Sequence, residues 1–262
     1  MQTDPWESGN PYDFFMGRWS RPVAYEFLEW LSMTEQLRWL DVGCGTGVLS
    51  SSIIEVTAPQ EVLAVDASDT FIAFAQQTYK DTRLRFHVGD ARKLPAKTGY
   101  FDVVVSGLAL NFIPAPIIAL TEMVRTIRTG GVVAGYVWDY AEKMQMLRHF
   151  WDAAIAIDPL AKELDEGDRF PLCQRSALEA LFQEAGLKNV ETWAIDVPTI
   201  FRDFDDYWSP FLGGQGPAPG YAMSLSNEQR KALEEQLKAV LPVLADGAIA
   251  LIARAWAVRG VV

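Results

Sequence analysis

The sequence predicts an α/β fold in which a doubly wound, mostly parallel sheet carries helices on both faces. Short apolar runs that suit buried strands alternate with longer runs that have the 3.6-residue period of amphipathic helices. Half of the residues are hydrophobic, which is enough for a substantial core. The most distinctive run, residues 40–47, is an apolar strand that leads into three alternate glycines and then into a helix.

The alternate glycines predict a cofactor-binding turn, which we call the glycine turn (residues 43–47). Glycine allows backbone angles closed to other residues and lets a ligand approach the main chain. A dinucleotide-binding turn has the pattern G-x-G-x-x-G, but Val48 stands where its third glycine would be. This spacing argues against NAD or FAD. Asp41, just before the turn, would repel a pyrophosphate but could accept hydrogen bonds from an ammonium group.

The next two predicted strands are each followed by an acid. Residues 62–66 form a second apolar run, and Asp66 at its carboxyl end suits the two hydroxyls of a ribose. Residues 84–88 form a third strand, followed by Asp90 and Ala91. The Asp90 carboxylate could accept from an adenine amino group while the Ala91 N–H donates to a ring nitrogen.

The rest of the chain supplies the remaining elements of a doubly wound sheet. Capping boxes, in which a serine and a polar residue three positions later cap a helix, are predicted at Ser176 and at Ser226. In chain order the pattern predicts a helix from residue 20 to 31, a strand at 101–106, a helix at 114–128, a strand at 132–138, a helix at 176–185, a strand at 190–200, a helix at 226–241 and a strand at 249–258.

Two segments, 140–175 and 203–225, do not fit a minimal sheet. Ligands in open α/β sheets bind beyond the carboxyl ends of strands, so we expect these insertions to cover the substrate. No repeat or linker marks a second domain. Residues 1–262 are therefore predicted to form a single domain, with an N-terminal aromatic arm and helix at 1–36 and a cofactor-binding core at 37–138.

Residues 37–138 resemble the class I S-adenosylmethionine-dependent methyltransferases, and more narrowly the methyltransferase-11 group. The glycine turn, the acid after the second strand, the Gly-Asp-Ala turn and the Phe-Asp strand follow one another at that family's spacing. The resemblance implies a seven-stranded Rossmann-like sheet, with S-adenosylmethionine as cofactor and S-adenosylhomocysteine as product. The implied cofactor site comprises Asp41, Gly43, Cys44, Gly45, Thr46, Gly47, Asp66, Ala67, Asp90, Ala91, Ser106 and Leu108.

Within that site the resemblance places the glycine turn under the methionine part of the cofactor. Ser106 would offer its backbone carbonyl to the amine, and Ala67 would lie against the adenine. A larger apolar residue is usual at the position of Ala67, so we expect weaker adenine packing or a contribution from a neighbour such as Leu94.

Two further residues are candidates for polar roles. Arg18 could pair bidentately with the cofactor carboxylate, or it could be a surface arginine paired with an acid. His149, on the first insertion, is a candidate general base, although a solvated helix position is the commoner fate of such a residue. No catalytic side chain is obligatory, because alignment of nucleophile and methyl group supplies most of the rate in an in-line displacement. His87 is expected to be structural.

Aromatic residues are candidates for an apolar acceptor pocket. The alternative is that most of them simply fill the core, and we expect roughly half at the pocket. The candidates are Tyr12, Phe15, Phe112, Tyr136, Trp138, Trp151, Trp208 and Phe211.

The net charge of the chain indicates which classes of acceptor it can bind. The formal net charge is -11 and the sequence pI is near 4.7, with no block of lysine and arginine, so a nucleic-acid acceptor is not expected. Cys44 and Cys173 lack metal-ligand spacing, and no metal is predicted. The start lacks the basic and apolar regions of a signal peptide, and no apolar run is long enough to span a bilayer. We therefore expect a cytoplasmic protein without membrane insertion.

The activity expected from these features is methyl transfer to a small-molecule acceptor through an oxygen, nitrogen or carbon nucleophile. Two alternatives stay open. One is a cofactor-binding module without catalytic activity that serves as a partner or regulatory subunit. The other is an NAD-dependent oxidoreductase, against which Val48 argues.

Overall fold

Seven strands form one sheet in the computed structural model, which describes residues 17–214 and 216–262. The strand order is β3-β2-β1-β4-β5-β7-β6. Strands β1 to β5 pair in parallel, and β7 runs antiparallel to β5. The predicted α/β fold with a mostly parallel sheet is therefore confirmed. The strands are β1 (Arg38–Val42), β2 (Glu61–Asp66), β3 (Leu84–Val88), β4 (Phe101–Gly107), β5 (Ile127–Trp138), β6 (Lys188–Phe201) and β7 (Ile249–Val261).

Helices connect the strands and build the insertions. Each predicted helix is present, with ends that differ by a few residues from those read in the sequence. The α-helices are α1 (Arg18–Leu31), α2 (Val48–Thr57), α3 (Asp69–Thr78), α4 (Pro116–Thr126), α5 (Gln145–Ile157), α6 (Glu166–Arg169), α7 (Arg175–Glu184), α8 (Phe204–Trp208), α9 (Pro217–Ser224) and α10 (Asn227–Val240).

The two predicted capping boxes have different outcomes. At α10, Ser226 Oγ accepts from the backbone N–H of Gln229, and the Gln229 side chain accepts from the backbone N–H of Ser226, so that box is confirmed. At α7 the prediction is wrong. The helix already starts at Arg175 after an extended Gln174, so Ser176 has helical dihedral angles and is not in the capping position.

Asp102 ties together the amino-terminal ends of three central strands. Its carboxylate accepts from the backbone and side chain of Arg38 on β1 and from the side chain of Arg128 on β5. Burial raises the pKa of Asp102, but the hydrogen bonds from the two arginines outweigh it and bring the pKa to about 2. These contacts join the amino-terminal ends of β1, β4 and β5.

The described residues fall into two compact units. The sheet unit comprises Ser20–Trp138, Leu172–Ile195 and Ala255–Val262. The insertion unit comprises Asp139–Pro171 and Asp196–Arg254 apart from residue 215, together with residues 17–19. The insertion unit thus contains most of the first predicted cover segment and all described residues of the second. That the chain is one domain, and that these segments cover the substrate, stay predictions.

Aromatic packing dominates the core of the insertion unit. The rings of Phe150 and Phe211 stack with their centroids 4.5 Å apart, and the ring of Trp151 meets that of Phe150 edge-on at 5.1 Å. The buried Tyr207 hydroxyl donates to the backbone oxygen of Met146 at 2.8 Å. These contacts give the insertions a hydrophobic core of their own.

Candidate functional site

The glycine turn joins β1 to α2 at the carboxyl edge of the sheet. Gly43, Gly45 and Gly47 have φ angles of 75°, 53° and 89°, all in the left-handed region that glycine adopts without strain. The backbone N–H groups of Gly43 and Cys44 both donate to the oxygen of Val65 on β2, at 2.7 and 3.1 Å. The turn is therefore held in a fixed conformation against the neighbouring strand.

The three glycines differ in what lies beside them. A Cβ at Gly43 would come within 2.5 Å of the Ala109 Cβ, and one at Gly47 would meet the rings of Phe86 and Tyr79 at 3.0 Å. Nothing lies within 4 Å of a Cβ built at Gly45. Gly43 and Gly47 thus serve internal packing, whereas Gly45 leaves its backbone face open to a ligand.

Asp66 reaches back from the end of β2 to the glycine turn. One carboxylate oxygen accepts from the Gly45 N–H at 2.9 Å, and the other accepts from the Ser68 N–H at 2.8 Å. Burial raises the pKa of Asp66, and the hydrogen bonds from the backbone oppose that rise. Each carboxylate oxygen has a further lone pair, so the group can hold the turn and still accept from a diol.

Asp41 on β1 is fully buried beneath the turn. Ser50 Oγ on α2 donates to its Oδ2 at 2.6 Å, while Oδ1 has no hydrogen-bond partner among the described residues. Burial raises its pKa to about 7; the Ser50 hydrogen bond opposes the rise and the charge of Asp66 adds to it. The Ser106 hydroxyl, at the end of β4, is likewise buried without a partner among the described residues.

These observations fit the predicted cofactor. Unpaired buried polar atoms are costly unless a ligand, a water or an ion satisfies them. The Asp41 Oδ1 and the Ser106 hydroxyl could receive the ammonium group of an amino acid, and the open backbone face of Gly45 leaves room for it. Cys44 and Thr46, the other residues of the turn, are buried, and burial raises the pKa of the Cys44 thiol well above its usual value.

The predicted adenine-binding residues lie after β2 and β3, and Leu108, another predicted cofactor residue, lies after β4. Both Asp90 oxygens bond the Arg92 guanidinium, at distances from 2.7 to 3.2 Å, and this ion pair lowers the pKa of Asp90 to about 2. An adenine amino group would therefore share the carboxylate with Arg92. Ala67 is exposed, Leu94 is buried, and Leu108 has a φ of 57° where the chain turns after β4.

Arg18 and His149 both belong to the insertion unit. Arg18 pairs with Asp206 at 3.2 Å, donates to the backbone oxygen of Ile200 and stacks over the Trp19 ring. Pairing with an acid is the alternative raised for Arg18 above, and its contact with the cofactor stays a prediction. His149 is half-buried, and burial lowers its pKa while nearby Asp152 opposes the fall. His87, expected to be interior, is exposed at the edge strand.

The aromatic candidates are distributed over both units. Tyr12 and Phe15 lie outside the described residues. Phe112 is 38 % exposed, whereas the other five side chains are buried. Tyr136 and Trp138 belong to the sheet unit, and Trp151, Trp208 and Phe211 belong to the insertion unit. Their placement in an acceptor pocket stays a prediction.

Three polar residues that the sequence analysis missed stand out in the structure. Ser50 binds Asp41, Asp139 has a buried oxygen without a partner among the described residues, and Glu166 is a fully buried acid that accepts from the Trp151 indole N–H. Burial raises the pKa of Glu166 to about 7. For Ser50 a signal existed in the sequence, since it is a polar residue on the face of α2 that packs on the sheet.

Among residues 17–214 and 216–262, no group of three or more His, Cys, Asp or Glu residues is placed to hold a metal ion. None of the helices described is both long and apolar enough to cross a membrane.

Comparison with known proteins identifies relatives of this chain. The family model of the methyltransferase domain (Methyltransf_11) matches residues 40–135. The demethylmenaquinone methyltransferase of Staphylococcus carnosus is 29 % identical over 164 residues, which cover 58 % of this chain and 68 % of that protein. The enzyme of the same name from Bacillus licheniformis is 30 % identical over 167 residues, which cover 58 % of this chain and 71 % of that protein.

A solved structure extends the likeness over almost the whole chain. Phosphoethanolamine N-methyltransferase 2 of Haemonchus contortus, in complex with phosphomonomethylethanolamine and S-adenosylhomocysteine, superposes with a TM-score of 0.60 at 17 % identity. The match covers 96 % of this chain and 56 % of that one, and at this identity it shows the fold alone. Together, the seven-stranded sheet, the match to the family model and the 30 % identity to the Bacillus licheniformis enzyme show that the chain belongs to the class I S-adenosylmethionine-dependent methyltransferases.

Proposed function

We propose that this chain transfers the methyl group of S-adenosylmethionine to a small, flat and largely apolar acceptor by in-line displacement. Membership in the family supports the methyl donor. Two relatives carry the name demethylmenaquinone methyltransferase, which supports an aromatic ring of the hydroquinone type as the acceptor. The net charge of -11 disfavours polyanionic acceptors such as nucleic acids.

The observation that carries the proposal is the open backbone face of Gly45 beside the Asp66 carboxylate. Gly45 donates its N–H to Asp66, and no atom lies within 4 Å of a Cβ built on its Cα. In this arrangement Asp66 would accept from the ribose hydroxyls, and Asp41 and Ser106 would receive the amine. A hydrogen-bond acceptor or donor at the carboxyl edge of the sheet supports each of these proposed roles.

When bound, the cofactor supplies a methyl group on a positively charged sulfonium, which is an excellent leaving group. The contribution of the chain is then to align the nucleophile with that methyl group. Such alignment is worth about 7 to 11 kcal/mol in favourable cases. His149 stays a candidate base, since its lowered pKa keeps the imidazole neutral at pH 7.

Calorimetry with S-adenosylmethionine, S-adenosylhomocysteine and NAD tests the cofactor half of the proposal. We expect both sulfur compounds to bind and NAD to give no heat of binding. Binding of NAD alone would overturn the proposal and favour the oxidoreductase alternative.

A second measurement tests the acceptor half. Transfer of an isotope-labelled methyl group is followed with 1,4-dihydroxynaphthalene, catechol and a primary amine as acceptors. Labelled product is expected with 1,4-dihydroxynaphthalene, the bicyclic hydroquinone. If the protein binds the cofactor and labels none of these acceptors, the non-catalytic module becomes the better account of the chain.

A further inference from the structure

Asp90 and Arg92 form an ion pair just beyond the carboxyl end of β3, within the sheet unit. The Asp90 Oδ1 accepts from the backbone N–H and from the Nε of Arg92, at 2.8 and 3.0 Å. Its Oδ2 accepts from Nη2 at 2.7 Å and from Nε at 3.2 Å. Two parallel hydrogen bonds of this kind align a carboxylate with the planar guanidinium. The pair therefore presents a flat polar edge.

The backbone that carries this pair is fixed at both ends. Before it, the Gly89 N–H donates to the backbone oxygen of Asp66 at 2.8 Å. After it, one turn of 3-10 helix (Ala91–Lys93) leads to Leu94, whose N–H donates to the Glu122 carboxylate on α4 at 2.9 Å. The pair is consequently held close to Asp66, the residue proposed above to bind the ribose of the cofactor.

A second pair with the same pattern stands at the other end of β3. Asp81 and Arg83 are also two positions apart, and the Asp81 carboxylate accepts from the backbone N–H, the Nε and the Nη2 of Arg83, at 2.9, 3.0 and 2.8 Å. In each pair the hydrogen bonds from the arginine lower the pKa of the aspartate to about 2. The two pairs differ in place, because only the one at Asp90 lies at the carboxyl edge, where ligands of such sheets bind.

Arg92 keeps hydrogen-bond donors that the pair does not use. A guanidinium has five N–H groups, and Asp90 takes the one on Nε and one of the two on Nη2. The others have no acceptor among residues 17–214 and 216–262. On the carboxylate, Oδ1 already accepts two hydrogen bonds, whereas Oδ2 has one short bond and shares the Nε proton at a longer distance. A free acceptor site on Oδ2 and a free donor on Nη2 thus stand side by side, 2.7 Å apart.

This combination suits one edge of adenine. That edge carries the N6 amino group, which is a donor, next to N7, which is an acceptor, and the amide of an asparagine or glutamine binds both at once. The amide does so with an oxygen acceptor and an N–H donor side by side, as Oδ2 of Asp90 and Nη2 of Arg92 are. The same edge of guanine carries two acceptors, so a guanine base would leave Oδ2 without a donor.

We propose that Arg92 is a cofactor-binding residue whose guanidinium donates to N7 of the adenine while Asp90 accepts from the N6 amino group. The proposal rests on the methyltransferase function proposed above and names a further residue of its cofactor site. In this arrangement the ion pair is itself part of the adenine site and stays intact when the cofactor binds. It also supplies polar recognition of the adenine where Ala67 offers little apolar surface.

The test compares S-adenosylhomocysteine with its 7-deaza analogue, in which a C–H group replaces N7 and the amino group is kept. Calorimetry measures the Kd of both compounds for the wild-type protein and for Arg92→Ala. We expect the wild-type protein to bind the analogue about fivefold or more weakly, because a donor of Arg92 then faces a C–H group. For Arg92→Ala the two Kd values should lie within about twofold of each other. The ratio of the Kd values is decisive, since a change in the Asp90 carboxylate affects both compounds.

Arg83→Ala is the matched control. It removes the same set of hydrogen bonds from the second pair, in the same unit, and the side chains of Arg83 and Arg92 are similarly exposed, at 39 and 45 %. We expect Arg83→Ala to keep the wild-type ratio of the two Kd values.

The outcomes separate this inference from the proposed function. Equal Kd values for the wild-type protein overturn the recognition of N7 and leave the proposed function intact. A wild-type ratio that persists in Arg92→Ala overturns the role of Arg92, and so does an equal loss of the ratio in Arg83→Ala. If Arg92→Ala does not fold, Arg92→Met, which keeps an apolar stem without donors, replaces it under the same expectation. Absence of S-adenosylhomocysteine binding to the wild-type protein overturns the proposed function itself.

Discussion

Asp41 is a buried acid whose ionisation should be visible in the stability of the protein. Its pKa is about 7 in the folded chain, against about 3.9 when unfolded. Between these values the folded state binds a proton that the unfolded state does not, so stability falls as pH rises through this window. Above the folded pKa the penalty for the buried charge is complete.

We therefore predict that Asp41→Asn removes this loss. The wild-type protein should lose on the order of 2 kcal/mol of its free energy of unfolding between about pH 5.5 and pH 8 through this carboxyl group. The variant should not show this loss, so the difference between the two proteins should grow by that amount. Urea unfolding at both pH values measures the change. Saturating S-adenosylhomocysteine should flatten the wild-type slope, because its ammonium group favours the ionised carboxylate. Equal slopes for both proteins without ligand would show that Asp41 ionises normally.

Asp66 supports both the glycine turn and, as proposed, the ribose. Asp66→Asn keeps one oxygen acceptor and loses the other, so we predict a rise of at least about tenfold in the Kd of S-adenosylhomocysteine, equivalent to roughly 1.4 kcal/mol. Calorimetry checks it. Asp203→Asn is the control, since Asp203 is an exposed acid that accepts from the backbone N–H of Asp206. An unchanged Kd would remove Asp66 from the ribose role.

At the residue level the sequence revealed the acids but not their partners. Asp66 was recognisable at the end of a short apolar run, and Asp41 within the apolar run that leads into the glycine turn. The bond between Asp41 and Ser50 depends on how α2 packs on β1, and the pairing of Asp90 with Arg92 competes with its predicted ligand. Such partners are set by tertiary packing, which spacing along the chain does not specify.

At the glycine turn, two effects of a substitution can be measured separately. One is the strain of a left-handed backbone, and the other is the obstruction of a ligand that approaches the main chain. Gly45→Ala would place a methyl group in the open space at a φ of 53°. We predict a loss of about 1 kcal/mol of stability from the left-handed backbone, together with at least about a tenfold loss of affinity for S-adenosylhomocysteine. Thermal unfolding and calorimetry measure the two effects.

Gly99→Ala is the matched control for this prediction. Gly99 belongs to the same unit, has a φ of 63° and also has nothing within 4 Å of a built Cβ. It should show the same loss of stability with no change in affinity. If both variants bind equally well, the open face of Gly45 is not where the ligand approaches. Gly43→Ala should destabilise more than either, because its methyl group would clash with Ala109.

The elements themselves were largely predictable from the sequence, and their ends were not. Strand runs such as residues 101–106 are short and apolar, which makes them easy to recognise. The failure at Ser176 illustrates the limit, because a capping pattern in the sequence says where a helix can start. The N-cap is Gln174, two residues before the predicted cap, and Arg175 is the first helical residue.

For the whole molecule, the negative net charge predicts that binding of S-adenosylmethionine depends more strongly on salt than binding of S-adenosylhomocysteine. S-adenosylmethionine carries one more positive charge than S-adenosylhomocysteine, and the chain has a net charge of -11. Salt screens this attraction, so raising the ionic strength should weaken S-adenosylmethionine binding by about twofold or more relative to S-adenosylhomocysteine. Calorimetry of both compounds at low and high salt tests this. An equal change for both would show that the net charge does not act on the site.

The fold class was predictable because parallel strands, connecting helices and the glycine turn each have a recognisable pattern in a short stretch of sequence. The division into two units was not, since the contacts that build the insertion unit join residues far apart in the chain. Arg18, for example, pairs with Asp206. The apolar and aromatic patterns of the two insertions indicated helices and loops without showing that they share a core.

The insertion unit is discontinuous along the chain, and this affects how it can be inherited or engineered. Its two long segments are bounded at 138/139, 171/172, 195/196 and 254/255, and the last two junctions fall within β6 and β7. A single crossover between two related genes at any position from 139 to 254 would therefore take parts of this unit from two parents. Grafting it onto another sheet of this family requires these four junctions and a fifth at 19/20, with strand pairing preserved at two of them.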